Sequence, residues 1–549
     1  MAAGCGDDGS SANDGAGGSG AGGPSAGGGQ PHGGGTEGGG GIGEGGGTSQ
    51  CEPFGHFPAP ETTFTLPTDG PLYYPDVQAA FPEVDWATLD RLYVPAGDYL
   101  ELNLGNLPDR TEDRPLVITN LGGRVKVGPN PGANYIWSMS GGSHWILTGR
   151  YDPDAQTGDV SAPGHRCGAY ATSRGAYGFL SDDGFDDTGA YLHMGIAVSD
   201  ATDFEVEFVE VTRSGFAGIR FLNQANGSAT KPMANVSLHD SYVHDVGGEG
   251  IYLGWTGAPP SNLLPGLQVY NNRFVRTGNE ALQVQNLGEG SRVANNAIVH
   301  AGLHFRDNGL GLYQDHNSQI NVRSGSVVVE KNVFIGSGAE LMSLWRGEEA
   351  GDGPADIVVR DNYFAESRSG SAGYLGGSAG SGSHYTMERN FFRSLAFSYT
   401  EIDPSATDPK ILFGVNGAVT APIAFDDNRW EGDESLTYGL PADGTAGAFV
   451  ASGNVHGPVD AIAFTDALDV SGDRIEFWVA ATTLAPGSPP RTYAPGDVVL
   501  FRDGNLYRAT AASTAAPPPD HPEAWELLET PKDDYRVPSG SMYETMSIE

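Results

Sequence analysis

A short pattern recurs in register along the middle of the chain and limits its architecture more than any other feature. Segments 204–221, 236–253, 267–284, 327–344 and 357–374 align on one asparagine column, and segments 385–394 and 423–432 continue the set. Apolar residues recur three residues before and two residues after each anchor position. Their alternation is typical of strands with one face inward. The repeat therefore predicts a solenoid whose coils pack on their neighbours.

The anchor column is the most regular feature of the repeat. It holds Asn272, Asn296, Asn332, Asn362, Asn390 and Asn428, with Val209 and Ser241 in the same place earlier. Asparagine tolerates left-handed backbone angles and can bond the asparagine of the next coil. We interpret the column as a structural ladder.

The repeats resemble those of pectate-lyase-type parallel β-helix proteins over roughly residues 85–470. The phrases DFEVEFVEVTRSGFAGI (203–219) and SYVHDVGGEGIYLG (241–254) are similar to those of bacterial surface β-helix proteins. The resemblance implies an all-β fold, a right-handed parallel β-helix with three parallel sheets, which we assign to residues 53–470. It does not imply a reaction, because lyases, hydrolases, epimerases and binding scaffolds share this fold.

Residues 1–52 are predicted to lie outside the solenoid. Ala2-Ala3-Gly4-Cys5 resembles the end of a bacterial lipoprotein signal, which implies lipidation of Cys5, an outer-membrane anchor and an extracellular or cell-surface location. The apolar stretch that normally precedes such a cysteine is missing, so either the start is placed too late or the match is chance. Residues 6–49 are rich in Gly, Ser, Ala, Asp and Thr and predict a disordered tether. Cys51 and Cys167 remain as one candidate disulfide.

The charge balance limits the partners. The chain has 30 basic and 69 acidic residues, a net charge of −39. Such a surface repels nucleic acid and anionic membranes, so neither is predicted to bind. It also disfavours a polyanionic glycan unless bound cations or a local Arg/His patch intervene. The same acidity also serves solubility in salty surroundings. We expect a monomer whose partner is a polysaccharide.

A column of acids follows the anchors. Eight residues after the anchor stand Glu249, Glu280 and Glu340. For the intervening coil, counting gives His304, whereas matching its apolar pair gives Asn308, because this coil carries an insertion. Adjacent parallel strands lie about 4.8 Å apart, which predicts that Glu249 and Glu280 are neighbours.

This acidic column has two chemical interpretations and one structural alternative. A glycosidase needs carboxyl groups about 5 Å apart for retention or about 6.5–9.5 Å apart for inversion, and one or two coil steps supply these distances. A lyase needs a base beside a cation or arginine that neutralises the carboxylate of the sugar. Alternatively, these are ordinary solvated acids at a turn.

The insertion at 303–323 and a second column supply further candidates. The insertion contains His304, Arg306, Asp307, Tyr313, Asp315, His316 and Arg323. Long loops on a rigid scaffold often carry binding and catalysis. His304 or His316 is a candidate general base, and Arg306 or Arg323 a candidate anion ligand. Fourteen residues after the anchor, Trp255, Asn286 and Arg346 share a column that predicts a stacking ring beside an anion clamp. An ordinary polar loop is the alternative.

No cofactor is predicted with certainty. The acid-rich stretch SDDGFDD (181–187) is a candidate for Ca²⁺, although it lacks the pattern of an EF-hand loop. The catalytic Lys/Arg signatures of pectate lyases and the Asp motifs of polygalacturonases are not recognisable either.

Residues 471–531 resemble a type 3 chitin-binding module of the carbohydrate-binding family 5/12 kind. The matching residues are Tyr493, Gly496, Asp497, Val499, Gly504, Tyr507, Ala509, Pro519 and Trp525. The resemblance implies a hairpin, a small core closed by Trp525, and sugar contacts from Tyr493, Tyr507 and Trp525, with Tyr493 exposed. The chain has Ala511-Ala512-Ser513 where many members carry tryptophans. Residues 532–549 resemble a last β-helix coil and are predicted to be either a terminal coil or a C-terminal segment; in the first case the module is an insertion before the end of the solenoid.

Three functions remain open from the sequence. The first is a tethered or secreted polysaccharide-active enzyme of lyase or glycoside hydrolase type. The second is a non-catalytic glycan-binding or adhesion scaffold, and the third a structural solenoid with a degenerate site. Catalysis requires that the glutamate column line a cleft with a perturbed carboxyl group, whereas binding needs only exposed aromatic rings.

Overall fold

The structure is a computed structural model. It describes residues 60–548 except 69–70, 131–132, 134, 150–176, 185–193, 224–231, 257–260, 305–315, 348, 350, 368–370, 378–381, 396–411, 416–421, 433, 435–448, 468–474, 482–488 and 529–531. The predicted tether and Cys5, Cys51 and Cys167 lie outside the described residues. Among the described residues, no helix combines the length and apolar character needed to cross a membrane.

The strands form a right-handed parallel β-helix, which confirms the predicted fold class. Each coil passes through three faces, and each strand pairs in parallel with the corresponding strand of the next coil. The first face contains Thr63–Thr65, Ser143–Thr148, Thr202–Glu207, Ser237–His239, Gln268–Tyr270, Ser291–Ala294, Gly325–Glu330, Ala355–Arg360, His384–Glu388, Ile423–Asp426 and Phe449–Ser452. Arg91–Tyr99 and Leu116–Val127 are long enough to continue from the first face into the second.

The other two faces follow in each coil. The second face contains Phe179–Asp182, Val209–Thr212, Tyr242–Val246, Arg273–Thr277, Ala297–Val299, Val333–Ile335, Tyr363–Ala365, Phe391–Arg393, Arg429–Trp430 and Val455–His456. The third face contains Leu72–Tyr73, Leu102–Leu104, Tyr135–Ser140, Met194–Ser199, Ala217–Leu222, Glu249–Leu253, Leu282–Leu287, Ser318–Val322, Met342–Arg346, Gly373–Gly377 and Phe413–Val415.

A short helix and an aromatic cluster cover the first coils. The helix Tyr74–Ala80 has proline in its first turn, where the missing N–H costs nothing, and it buries Tyr74 and Val77. Trp86 packs edge-on against Phe64, with ring centroids 4.7 Å apart, and against Tyr74 at 5.4 Å. These rings shield the open end of the apolar interior.

One continuous core runs through the coils, from Leu66 to Trp430. The apolar columns predicted from the sequence point into it, as the stacked rings of Phe334, Phe364 and Phe392 show. Their centroids are 4.9 and 5.1 Å apart, close to the spacing of neighbouring parallel strands. Each such buried side chain contributes about 1.5–3 kcal/mol relative to exposure.

The asparagine ladder is confirmed and extends one coil further, to Asn454. Each amide accepts from the backbone and side chain of the previous asparagine; Asn296 N and Nδ2, for example, donate to Asn332 Oδ1 at 3.0 and 2.9 Å. The left-handed backbone lies elsewhere than predicted, at the residue before each anchor. Those residues are Asp240, Asn271, Asn295, Lys331, Asp361, Arg389 and Asp427, with φ between 49° and 57°. The anchors are buried because the preceding residue makes the turn.

The C-terminal module is a small sheet of Ile475–Phe477, Val498–Leu500, Leu506–Ala509 and Trp525–Leu527. Thr492–Tyr493 pairs with Ser513–Thr514 beside it, and Pro518–Asp520 forms a 3₁₀ helix. The predicted hairpin is confirmed by the antiparallel pairing of Val498–Leu500 with Leu506–Ala509. Trp525 lies in a core with Trp478, Tyr493 and Tyr507, as predicted.

Of the two predictions for the final segment, the structure contradicts the terminal coil. Residues 532–548 do not form another coil; they lie along the outside of the second face, where Tyr535 and Ile548 join an apolar cluster with Tyr242 and Val275. Asp533–Asp534 pairs antiparallel with Asp466–Ala467, the two strands that flank the module. The segment cannot continue the solenoid because its hydrogen bonds go to side chains and edges of coils already formed, such as Asn295 Nδ2 to Ser547 O at 3.1 Å.

Candidate functional site

The strand register of the third face decides which residues share the acidic column. Ile251 pairs with Leu282, Leu282 with Ser318, and Ser318 with Met342. Two residues before these positions stand Glu249, Glu280, His316 and Glu340. The predicted adjacency of Glu249 and Glu280 therefore holds. For the intervening coil His304 was wrong, because the strand register places His316 in the column; Asn308 lies outside the described residues.

Glu249 is a buried carboxyl group with little compensation. Its Oε1 accepts a long hydrogen bond of 3.4 Å from Asn279 Nδ2, and its Oε2 has no hydrogen-bond partner. Burial raises the pKa of Glu249 to about 7, although a backbone hydrogen bond, the Asn279 bond and the charge of Arg220 act in the opposite direction. A carboxyl group with this pKa is suited to donate and accept a proton near neutral pH.

Glu280 lies one coil further and has a different environment. It is fully buried, and Gln319 Nε2 donates to its Oε1 at 2.5 Å. Gln319 comes from the next strand, so the amide orients the carboxyl group across the coil boundary. The two neighbouring glutamates are therefore held by different groups. Glu249 accepts a long hydrogen bond from Asn279, and Glu280 accepts a short hydrogen bond from the side-chain amide of Gln319.

His316 and Glu340 complete the column as a neighbouring pair. His316 Nε2 lies 3.0 Å from Glu340 Oε2. Burial would raise the pKa of Glu340, but the hydrogen bond and charge of His316 outweigh it and hold the pKa below its ordinary value. A histidine paired in this way is oriented by the carboxylate, as a general base requires.

A cationic and aromatic platform adjoins the column. Arg220 lies over the rings of Phe216 and Tyr252, with its guanidinium carbon 5.5 and 5.2 Å from their centroids. Phe216 is 42% exposed. These residues were not predicted from the sequence, because the prediction followed the inward apolar columns and Arg220 and Tyr252 point outward between them. The alternation of inward and outward residues would have been enough to place them on the surface of the third face. Exposed rings of this kind stack on sugar faces.

The predicted anion clamp is occupied by the protein itself. Arg323 donates to Asp352 at 2.8 and 2.7 Å and lies 3.2 Å from Glu349. Arg346 is buried and donates to Gly353 O at 2.9 Å. The prediction that Arg323 and Arg346 bind an anion was therefore wrong, because their donors bond carboxylates and carbonyl groups of the same chain.

The other predicted substrate ligands are dispersed. Trp255 is partly buried, and its backbone oxygen accepts from Asn286 Nδ2 at 2.5 Å, which links this column internally. Arg306, Asp307, Tyr313 and Asp315 lie outside the described residues.

His304 lies beneath the C-terminal module, and its backbone N donates to Gly278 O at 2.9 Å. Its ring stacks on Phe477 with centroids 4.7 Å apart, and burial lowers its pKa to about 3. Phe477 N also donates to Leu303 O at 3.2 Å. The prediction of His304 as a general base needs correction, since its ring is part of the interface between module and solenoid.

The predicted sugar-binding rings of the module are also internal. Tyr493 is fully buried, and its hydroxyl donates to Val479 O at 3.0 Å and accepts from Val479 N at 2.8 Å. The prediction of an exposed ring at Tyr493 was therefore wrong. The Tyr507 hydroxyl donates to Asp503 at 2.6 Å, and Trp525 Nε1 to Ser513 Oγ at 3.1 Å. All three rings hold the module together.

In the calcium candidate 181–187, the carboxylate of Asp182 is already paired. Arg213 donates to Asp182 at 2.7 and 2.6 Å, and Lys126 lies 3.3 Å from the same carboxylate. Asp183 is buried, and residues 185–187 lie outside the described residues. The cationic side chains of Arg213 and Lys126 therefore balance the negative charge of Asp182.

The fold and these side chains define a right-handed parallel β-helix protein with a carboxylate column along its third face. Neither the protein-family models nor the curated proteins gave a match to this sequence. Several solved structures share the fold. An alginate lyase from Paenibacillus sp. str. FPU-7 is 15% identical over 72% of this chain and 96% of its own, with a TM-score of 0.33.

Two other structures illustrate the range of the fold. A mutant tailspike protein of E. coli bacteriophage HK620, in complex with a pentasaccharide, is 13% identical over 70% of this chain and 63% of its own, with a TM-score of 0.41. A family 28 exopolygalacturonase from Yersinia enterocolitica is 12% identical over 70% of this chain and 75% of its own, with a TM-score of 0.27. At these identities the likeness concerns the fold.

Proposed function

We propose that this chain cleaves an extracellular polysaccharide by hydrolysis on the third face, with Glu249 as the proton donor. One observation carries the proposal: two glutamates occupy neighbouring coils of one column, and one of them, Glu249, is buried with an unpartnered oxygen and a pKa raised to about 7. Pairs of carboxyl groups in different environments divide acid and base roles in this way.

The coil spacing favours a double displacement. Neighbouring parallel strands lie about 4.8 Å apart, close to the carboxyl separation of about 5–5.5 Å in retaining glycosidases. In the first step Glu249 protonates the leaving glycosidic oxygen, and the Glu280 carboxylate attacks the anomeric carbon to form a glycosyl-enzyme. In the second step the Glu249 carboxylate removes a proton from water, which attacks the same carbon and releases Glu280.

The neighbouring side chains supply orientation and binding. Gln319 holds Glu280 through its 2.5 Å hydrogen bond, which fixes the direction of the attacking carboxylate. The exposed Phe216 ring, with Arg220 over it, provides a stacking surface for a sugar near Glu249. The proposal includes the surface location implied by the resemblance at Cys5.

The test is product analysis with the full chain on chitin, uronate polymers and neutral glycans. We expect new reducing ends without unsaturated products, and a loss of kcat of at least about 10²-fold in both Glu249→Gln and Glu280→Gln. Glu330→Gln is the matched control, because this carboxylate bonds Arg292 and Arg360 on the first face and should leave turnover unchanged.

Three outcomes would overturn the proposed reaction. Unsaturated products would show a lyase. Binding without products on every glycan would favour the non-catalytic scaffold. Unchanged turnover in both glutamine variants, with the fold intact by circular dichroism, would place the chemistry elsewhere.

A further inference from the structure

A second group of acidic side chains surrounds one imidazole on the first face, remote from the proposed catalytic column. Glu205 and Glu207 lie in the strand Thr202–Glu207, and His239 lies in the paired strand Ser237–His239 of the next coil. One ligand atom from each of these three side chains lies within 4.8 Å of the other two. Glu207 and His239 are opposite each other in register.

The two imidazole nitrogens face different carboxylates of this group, and Nδ1 lies 3.9 Å from Glu207 Oε2. His239 Nδ1 lies 2.6 Å from Asp240 Oδ2, while Nε2 lies 3.0 Å from Glu205 Oε1. The ring also stacks on Tyr270, with centroids 4.4 Å apart and planes 11° from parallel. A carboxylate that accepts from one ring nitrogen fixes the tautomer and leaves the other nitrogen as an electron-pair donor.

The supporting carboxylate is itself held in place. Asn271 Nδ2 donates to Asp240 Oδ1, so the chain of contacts runs from Asn271 through Asp240 to the imidazole. Metal-binding histidines commonly have such a second partner, and ligating carboxylates are in turn hydrogen-bonded. Asp240 and Asn271 both have left-handed backbone, with φ of 49° and 57°, because they occupy the turn before the asparagine ladder. The turn of the solenoid therefore positions the support.

We propose that Glu205, Glu207 and His239 form a binding site for a divalent transition metal ion, of which Zn²⁺ fits the donor set best. Imidazole nitrogen and carboxylate oxygen are ligands that zinc accepts, at about 2.0–2.2 Å, so ligand atoms lie about 3.4 Å apart around a tetrahedral ion. Three carboxylates, those of Glu205, Glu207 and Asp240, converge on a single imidazole. Burial alone would lower the pKa of His239, but the hydrogen bonds and charges of these carboxylates outweigh it and raise the pKa, so a metal ion would replace the imidazole proton that otherwise reduces their repulsion.

The ion would link two successive coils of the solenoid. Two of its ligands come from one strand and the third from the next, so binding favours the paired state over the unfolded chain. A ligand that binds the folded state raises stability in proportion to the logarithm of its concentration above Kd. This gives a readout that does not depend on enzymatic activity.

The experiment is calorimetric titration of chelator-treated full chain with ZnCl₂, together with thermal unfolding. We expect one tight equivalent of zinc and a raised unfolding midpoint in the wild type. His239→Gln and Glu207→Gln should both lose that equivalent and the shift. Asp240→Asn, which keeps all three ligands, should weaken binding by about 10–100-fold.

The matched control lies on the same face. His384 Nδ1 lies 2.8 Å from Asp356 Oδ1 in an exposed pair, so His384→Gln removes an imidazole–carboxylate contact and should leave zinc binding unchanged. Persistence of the tight equivalent in both His239→Gln and Glu207→Gln, or its absence from the wild type, would overturn the site. Should a ligand variant fail to fold, the visible spectrum of Co²⁺ in wild type and Asp240→Asn decides: absence of a perturbed ligand field rejects the site.

Discussion

Asp533 accepts two hydrogen bonds from Arg276, at 2.8 and 2.7 Å, across 257 positions of sequence. Both side chains are buried, and the hydroxyl of Tyr242 donates to the same carboxylate. Arg273 Nη1 donates to the backbone oxygen of Asp533 at 2.7 Å. The chain end is thus fixed to the middle of the solenoid by a buried ionic network.

Breaking this network should release the final segment. Asp533→Asn leaves Arg276 buried without its full countercharge, and loss of one partner of a buried pair costs about 3–5 kcal/mol. We expect earlier denaturation and faster proteolysis of residues 532–549. Asp361→Asn, which breaks the more exposed pair with Arg389, should cost at most about 1 kcal/mol. Equal losses in the two variants would contradict the assigned role.

The asparagine ladder should be most sensitive in its middle. Asn332→Ala removes donors to Val293 O and Asn362 Oδ1 and the acceptor used by Asn296, and it leaves buried backbone groups unsatisfied at about 1–3 kcal/mol each. Asn454→Ala, at the partly buried end of the ladder, should cost less. Denaturant unfolding of both variants measures the difference, and a smaller loss for Asn332→Ala would refute it.

Glu249 should make the protein less stable as the pH rises. Its pKa is about 7 in the folded state against 4.5 in the reference state, so between these values the folded chain binds more protons than the unfolded chain. Stability falls through this window, and the full cost above pH 7 is about 3 kcal/mol. Glu249→Gln should remove the fall, so the variant should gain on the wild type between pH 4.5 and 8 in denaturant titrations. Parallel curves would argue against a perturbed carboxyl group.

His304 should have the opposite dependence. Its pKa is lowered to about 3 by burial, from 6.5, so its contribution is complete above pH 6.5 and is lost as the pH falls toward 3. At pH 5 the loss is about 2 kcal/mol. His304→Phe keeps a ring against Phe477 without a titrating group and should flatten the acid limb of unfolding monitored by the fluorescence of Trp478. An unchanged acid limb would show that other groups control it.

The fold was predictable because each coil repeats the same physical requirement. Alternating apolar residues and a buried asparagine amide appear at fixed offsets, and both patterns are visible in one sequence. The left-handed position was assigned to the wrong residue because asparagine is common there, whereas here residues as different as Lys331 and Arg389 adopt it. Hydrogen bonds of the ladder, which compensate for that strain, depend on the neighbouring coil.

The candidate site was predictable in part. Glu249, Glu280 and Glu340 follow from the repeat, but His316 required the register of a coil whose insertion changes the offset. The alternation in SQINV (318–322) could have supplied it. The burial of Tyr493 could not be predicted from the module motif, because its hydroxyl group bonds the backbone of Val479, which is not one of the matching residues. The prediction of Arg323 as an anion ligand was wrong for a similar reason, since its partner Asp352 comes from a separate coil.

The pairing of Asp466–Ala467 with Asp533–Asp534 has an evolutionary consequence. Antiparallel neighbours of this kind have Cα atoms about 4.5–5.5 Å apart, so the chain leaves the scaffold and returns to it at almost the same point. The segment between these strands can therefore change in length without separating them, which is a condition for tolerated insertions, although it also packs on the solenoid at Leu303 and His304. The solenoid can therefore accept a different insertion at this point, while the glutamates of the acidic column stay in their own coils.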